Sequence, residues 1–204
     1  MLMMDQAALA ATRFAARNCS PKGRLQDALA ETAEHPCVRI ARDGAALRRI
    51  ADLHRQCLPD APLGTCPLEP LGPTCVNVYV EDAGAITCAV EVSDLADRHD
   101  GNLDFFRRLA DQLGMPRAAT LTGSRLAKAS RHDGRHVAEL IRFIRLQAVR
   151  AGWRYCIVQT TERLIPFLRR FEFDETGLWS IDPIAGRLQV LVLDTRDQPL
   201  QGRR

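Results

Sequence analysis

A chain of 204 residues and 22.7 kDa, 46% hydrophobic and 26% charged, has the composition of one globular domain large enough to bury its own core. Its net charge of +3 is too mild to argue for a nucleic-acid partner, and no run approaches the length of a transmembrane helix. Seven cysteines, an odd number without a C-x-x-C pair, argue against both a disulfide framework and a finger-type metal site and suit a reducing cytoplasm.

In chain order, residues 1–36 are alanine-rich and broken at Ser20-Pro21-Lys22-Gly23, which reads as an N-terminal helical extension. The start, Met1-Leu2-Met3-Met4, meets Asp5 with no long apolar core behind it, so no signal peptide is expected. The main domain is expected over residues 37–195. Cys37 to Arg42 alternates apolar and polar residues and predicts a strand. Asp43-Gly44 leads into a helix carrying Leu47, Ile50, Ala51, Leu53 and His54, ending near Leu58-Pro59. Residues 59–73 are a loop punctuated by proline and glycine that contains Cys66. Cys75 to Val80 and Ala85 to Val92 predict two strands joined by a hairpin turn at Asp82-Ala83-Gly84. Cys37, Cys88 and Cys156 lie in apolar contexts, where cysteine is a small buried hydrophobe.

Leu103, Phe106, Leu109, Ala110 and Leu113 share one helical face ahead of Gly114-Met115-Pro116. A strand-like run from Ser124 to Ser130 is followed by a polar turn, Arg131 to His136, with a glycine at 134. Val137, Leu140, Ile141, Ile144, Ala148 and Val149 then recur at helical spacing, and Gly152 stands where a C-cap belongs. Tyr155 to Val158 reads as a buried strand, and Glu162 to Phe171 as a second helix. The unit is strand, turn, helix, strand: a crossover that requires right-handed connection of parallel strands. Leu178 to Ile181 and Arg187 to Leu193 form two further strands about the turn at 182–186, and residues 196–204 are a polar tail.

A turn that leaves a strand and opens a helix presents backbone N–H groups and the positive end of the helix dipole, a setting for phosphate. The order and lengths of these elements resemble the GNAT acyltransferase superfamily. Its pyrophosphate loop, Arg/Gln-x-x-Gly-x-Gly/Ala, falls on Asp133-Gly134-Arg135-His136-Val137-Ala138. Gly134 and Ala138 fit; Asp133 replaces the Arg/Gln and His136 the central glycine. A second register, Arg131 to His136, keeps the arginine but puts His136 at the last small position. The helix between the third and fourth strands, and Ser124-Arg125-Leu126-Ala127 beside the Ser-Arg-Phe-Ala strand of acyl-homoserine lactone synthases, resemble the branch containing those enzymes and the long-chain N-acyl amino acid synthases. The acid preceding that motif is missing, Thr122 standing near its place, as is the lactone synthases' N-terminal signature of tryptophan and aspartate. The comparison therefore favours relatives that acylate amino acids or peptides.

The resemblance implies an α/β fold, a GNAT-like mixed β-sheet with helices on both faces and a helical insertion between the third and fourth strands. It implies an N-acyltransferase moving a medium or long acyl group from acyl-CoA or acyl carrier protein to an amine, with no metal. A conventional acetyl-CoA-dependent N-acetyltransferase and a non-catalytic binding module on the same fold remain the alternatives. Donor contacts are expected from Leu126, Ala127 and Lys128, whose backbone stabilises the oxyanion, and from Asp133, Gly134, Arg135, His136, Val137 and Ala138 of the loop. Glu91, flanked by Val90 and Val92, is the first candidate for the base, its apolar setting able to raise a carboxylate toward working pH; His132 and His136 follow. Those two histidines are spaced i, i+4, but no third metal ligand is evident. The leaving-group tyrosine of the family falls on Leu168, and its glycine on Glu172, so that acid is absent here. Arg163, Arg169 and Arg170 either meet donor phosphates or an acidic carrier protein, or form a solvated face. The expected partners are a small-molecule or peptide amine and an acyl carrier, without nucleic acid or stable membrane insertion.

Overall fold

Seven strands form one mixed sheet in the order β1-β2-β3-β4-β5-β7-β6. The strands are β1 (Val38–Ile40), β2 (Cys75–Asp82), β3 (Ala85–Asp94), β4 (Thr120–Lys128), β5 (Tyr155–Thr160), β6 (Asp174–Asp182) and β7 (Gly186–Asp194), and the helices α1 (Gly44–Cys57), α2 (Asp104–Gln112), α3 (Arg135–Ala151) and α4 (Ile165–Arg169). This computed structural model describes residues 25, 37–57, 75–96, 103–129, 134–182 and 185–195. The N-terminal extension apart from residue 25, the 59–73 loop, most of the 131–136 turn and the polar tail lie outside the described residues. β1/β2, β2/β3, β5/β7 and β6/β7 are antiparallel, and α3 joins the sheet neighbours β4 and β5. No helix among the described residues is long and apolar enough to cross a membrane.

The described residues divide into two compact units, one drawn from 23–94 and 123–147, the other from 95–122 and 148–195. In the first unit, Asp43 caps α1, its Oδ1 accepting the Ala46 N–H at 2.8 Å. Ala46, Leu47, Ile50 and Leu53 recur along one stripe of the helix and pack on Tyr79, Ala89 and Ala127. These partners fix the orientation of the strands: Tyr79 of β2 and Ala89 of β3, paired in register, face α1. Val76, Val78, Val80, Val90 and Val92 alternate onto the opposite face and are buried as well. The β2–β3 hairpin turns through two residues in the left-handed region, Ala83 (φ 48°) and Gly84 (φ 78°).

In the second unit, the apolar stripe of α2, Phe106, Leu109 and Ala110, packs on Tyr155, Ile157, Val190 and Val192. Gly114 (φ 68°) ends this helix in a Schellman motif: its N–H donates to the Asp111 carbonyl and the Met115 N–H to that of Ala110. Gly152 (φ 89°) does the same for α3, with Trp153 N–H on the Ala148 carbonyl.

Several boundaries move from the sequence reading. β4 begins at Thr120, not Ser124, because the threonines at 120 and 122 are buried strand residues. The helix expected over 162–171 divides into a 3₁₀ turn, Glu162–Leu164, and α4, with Pro166 in its first turn. β6 starts at Asp174 and is irregular between Glu175 and Trp179, where polar residues hide the alternation. Cys37 is half-exposed rather than a core residue; Cys88 and Cys156 are buried.

Candidate functional site

Glu91 lies on β3 opposite Asn77 of β2, two residues beyond Ala89 and so on the face that α1 covers. The apolar setting expected from Val90 and Val92 is therefore not what the carboxylate meets, because those side chains alternate to the other face. Its neighbours come from β4. Ser124 Oγ donates to Glu91 Oε1 at 3.2 Å, and Arg125 Nη1 donates to Oε2 at 3.2 Å. In a regular strand consecutive side chains point to opposite faces. Here both reach one carboxylate because Arg125 adopts φ 51°, a left-handed residue that breaks the regular alternation of the strand. The ion pair is partly enclosed, with side-chain exposures of 16% for Glu91 and 33% for Arg125.

His54 lies within the electrostatic reach of Arg125, in the last turn of α1, where it is 3% exposed. Burial first, and the Arg125 cation second, push its imidazole below the usual 6.5. It is thus neutral near pH 7. Asn77 is buried beside Glu91 in the same row. Neither His54 nor Asn77 was chosen from the sequence. His54 sits at an apolar helical position and reads as core; Asn77 is a lone polar residue in a β-branched run.

The expected donor residues occupy the end of β4 and the opening of α3. Leu126 is exposed, Ala127 is buried under α1, and Lys128 is half-buried. The Lys128 carbonyl accepts the Cys57 thiol at 3.2 Å. Gly134 immediately precedes α3, its carbonyl accepting the Ala138 N–H at 2.9 Å. Arg135, His136 and Val137 therefore form the first helical turn, where amides point along the axis toward the dipole's positive end. Arg135 is exposed, His136 and Ala138 half-buried and Val137 buried. His132 and Asp133 lie outside the described residues. Beside Lys128 and Ala129, a cleft of about 650 Å³ is also lined by Leu53 and Cys57 of α1 and by Ile86.

In α4, Leu168 is buried, and Arg169 is engaged in an ion pair with Glu175. Glu172 holds φ 66° and closes α4 in a Schellman motif, its N–H on the Arg169 carbonyl and the Phe173 N–H on that of Leu168. Among the described residues no group of three His, Cys, Asp or Glu side chains is arranged to hold a metal ion.

No protein-family model and no curated protein sequence matches the chain. Solved structures do. The chain is similar to FeeM, an N-acyl amino acid synthase from uncultured soil microbes, at TM-score 0.64 and 10% identity over 78% of this chain and 95% of that one. It is similar to the AHL synthase LasI at TM-score 0.62 and 14% identity, over 80% and 92%. An N-acetyltransferase from Staphylococcus aureus Mu50 aligns at TM-score 0.54 and 14% identity, over 80% and 100%. The fold is the GNAT-like α/β fold that the order of elements led one to expect.

Proposed function

We propose that the chain is an N-acyltransferase that moves an acyl group from a thioester donor, acyl-CoA or acyl carrier protein, to the amine of an amino acid or peptide. The observation that carries this reading is the Glu91 carboxylate, held by Ser124 and the left-handed Arg125 of the strand that leads into the α3 turn. The fold shared with acyl- and acetyltransferases supports the reaction class. The likeness to an N-acyl amino acid synthase and to AHL synthases supports a medium or long acyl chain.

The chemistry assigns a task to each group. An amine enters as an ammonium ion and must lose a proton before its nitrogen can attack the thioester carbon. Glu91 takes that proton; two of its roughly four lone-pair sites are used by Ser124 and Arg125, which leaves room for the amine or a bridging water. His136 is the second candidate for the same role. Attack forms the C–N bond and puts negative charge on the carbonyl oxygen, which a backbone N–H of the Leu126–Lys128 segment stabilises. Collapse breaks the C–S bond. With Leu168 where the family's tyrosine stands, solvent or the proton taken from the amine completes the thiol. Amide and thiol are the products, with one proton released overall. Phosphates of the donor lie against the opening of α3, at Gly134 to Ala138.

The test is amine-dependent release of free thiol from acetyl-, octanoyl- and palmitoyl-CoA and from an octanoyl carrier protein, with the amide identified by mass. The account expects turnover, and a fall of about 10²- to 10⁴-fold in kcat for Glu91→Gln. Turnover confined to acetyl-CoA supports the conventional acetyltransferase reading, which the full-length alignment of the staphylococcal N-acetyltransferase favours. No release from any of these thioesters contradicts an enzyme and leaves the binding module.

A further inference from the structure

Asn77 is 4% exposed, yet its Oδ1 accepts no hydrogen bond from any described residue. A buried carbonyl oxygen without a donor is unfavourable, and native proteins retain such a group mainly where a ligand or water completes it. It stands directly across from Glu91, within the roughly 5 Å that separates paired Cβ atoms. Two acceptors, one neutral and one anionic, thus face the same α1-covered side of the sheet. His54, at the end of α1 near Arg125, places no second cation there, since burial keeps it uncharged at neutral pH.

We propose that Asn77 Oδ1 and the Glu91 carboxylate form a recognition site for a primary ammonium group, making Asn77 a specificity residue for an unsubstituted amine. The complement of two acceptors is a group that donates twice and carries positive charge. A primary ammonium supplies three N–H donors, one for Asn77, one for Glu91 and one for water or the reacting face. An alcohol of the same shape supplies one donor and no charge, and a tertiary ammonium supplies one. The proposal rests on the acyltransferase reading for its place in a reaction, since Glu91 then removes the proton from the ammonium that Asn77 has positioned. Ammonium binding itself is independent of any donor.

The experiment uses the whole chain and two probes of equal shape, n-butylamine and n-butanol, titrated by calorimetry. Retention of octanoyl-CoA and the melting temperature are followed in parallel. Wild type is expected to bind n-butylamine saturably and n-butanol at least about tenfold more weakly. Asn77→Val removes the oxygen, and Asn77→Ala removes it without adding bulk. Both are expected to weaken n-butylamine binding about tenfold to a hundredfold while octanoyl-CoA retention stays at the wild-type level. Equal binding of the alcohol, wild-type amine binding in both variants, or no saturable binding of n-butylamine overturns the proposal. Selective amine binding without retention of any thioester leaves the ammonium site standing and removes the acyltransferase reading instead.

Discussion

Arg125 holds φ 51° inside a strand, a conformation that costs an L residue about 1–2 kcal/mol, and its ion pair with Glu91 is what that geometry secures. The same cation acts on His54, whose pKa is lowered chiefly by burial. The direction sets a pH dependence. The unfolded chain binds a proton at His54 below about pH 6.5, while the folded chain resists it until a lower pH. The stabilisation is therefore complete above about pH 6.5 and is lost as pH falls from there toward the lowered folded value, at up to about 1.4 kcal/mol per pH unit. Thermal melts of wild type from pH 7.5 to pH 5 are expected to show this decline, and His54→Gln is expected to flatten it. An unchanged slope in the variant contradicts the buried neutral imidazole. Glu91 could be placed on its strand from the sequence, but its surroundings could not. Ser124 and Arg125 are 33 and 34 residues away, and bringing both to one carboxylate depends on a left-handed arginine that no residue type announces.

At the scale of elements, three helices end in the same hydrogen-bonded motif with different residues at its left-handed position. Gly152 was legible as a cap because glycine is the residue that adopts positive φ without a Cβ penalty. Gly114 ends α2 the same way. Glu172 was marked only by the resemblance, which put a glycine there; its residue type does not announce a φ of 66°. This asymmetry makes opposite predictions for two substitutions. Glu172→Gly is expected to stabilise the fold by about 0.5–1 kcal/mol, after the larger entropy of glycine in the unfolded chain is counted. In a chain of this size that is a rise of about 1–4 °C in Tm. Gly152→Ala is expected to cost about 1–2 kcal/mol in denaturant titration, since alanine must hold φ 89°. The strong helices were read within a residue or two because their apolar stripes run over several turns. β6 and the 162–171 segment were read less well, since their polar residues and proline blur the period.

For the whole molecule, the element order carried most of the information. A strand, helix, hairpin, helix, strand, turn and helix in sequence led to a mixed sheet, and the sheet order β1-β2-β3-β4-β5-β7-β6 and the similarity to acyl- and acetyltransferase structures agree with it. Donor, chain length and acceptor were not legible, because proteins that share this fold at 10–14% identity act on different acyl groups and a substrate is selected by side chains, not by topology. The central claim is that a thioester donor seats its phosphates at the turn opening α3. Gly134→Asp tests it most directly. An aspartate just ahead of a helix is a good cap and favourable to the helix dipole, so the fold is expected to keep or gain stability while the added carboxylate repels phosphate. Native mass spectrometry of wild type with acetyl-, octanoyl- and palmitoyl-CoA and an octanoyl carrier protein is predicted to show retention of at least one donor, lost in Gly134→Asp with a Tm no lower than that of wild type. Equal retention by the variant, or none of these donors held by wild type, contradicts the account.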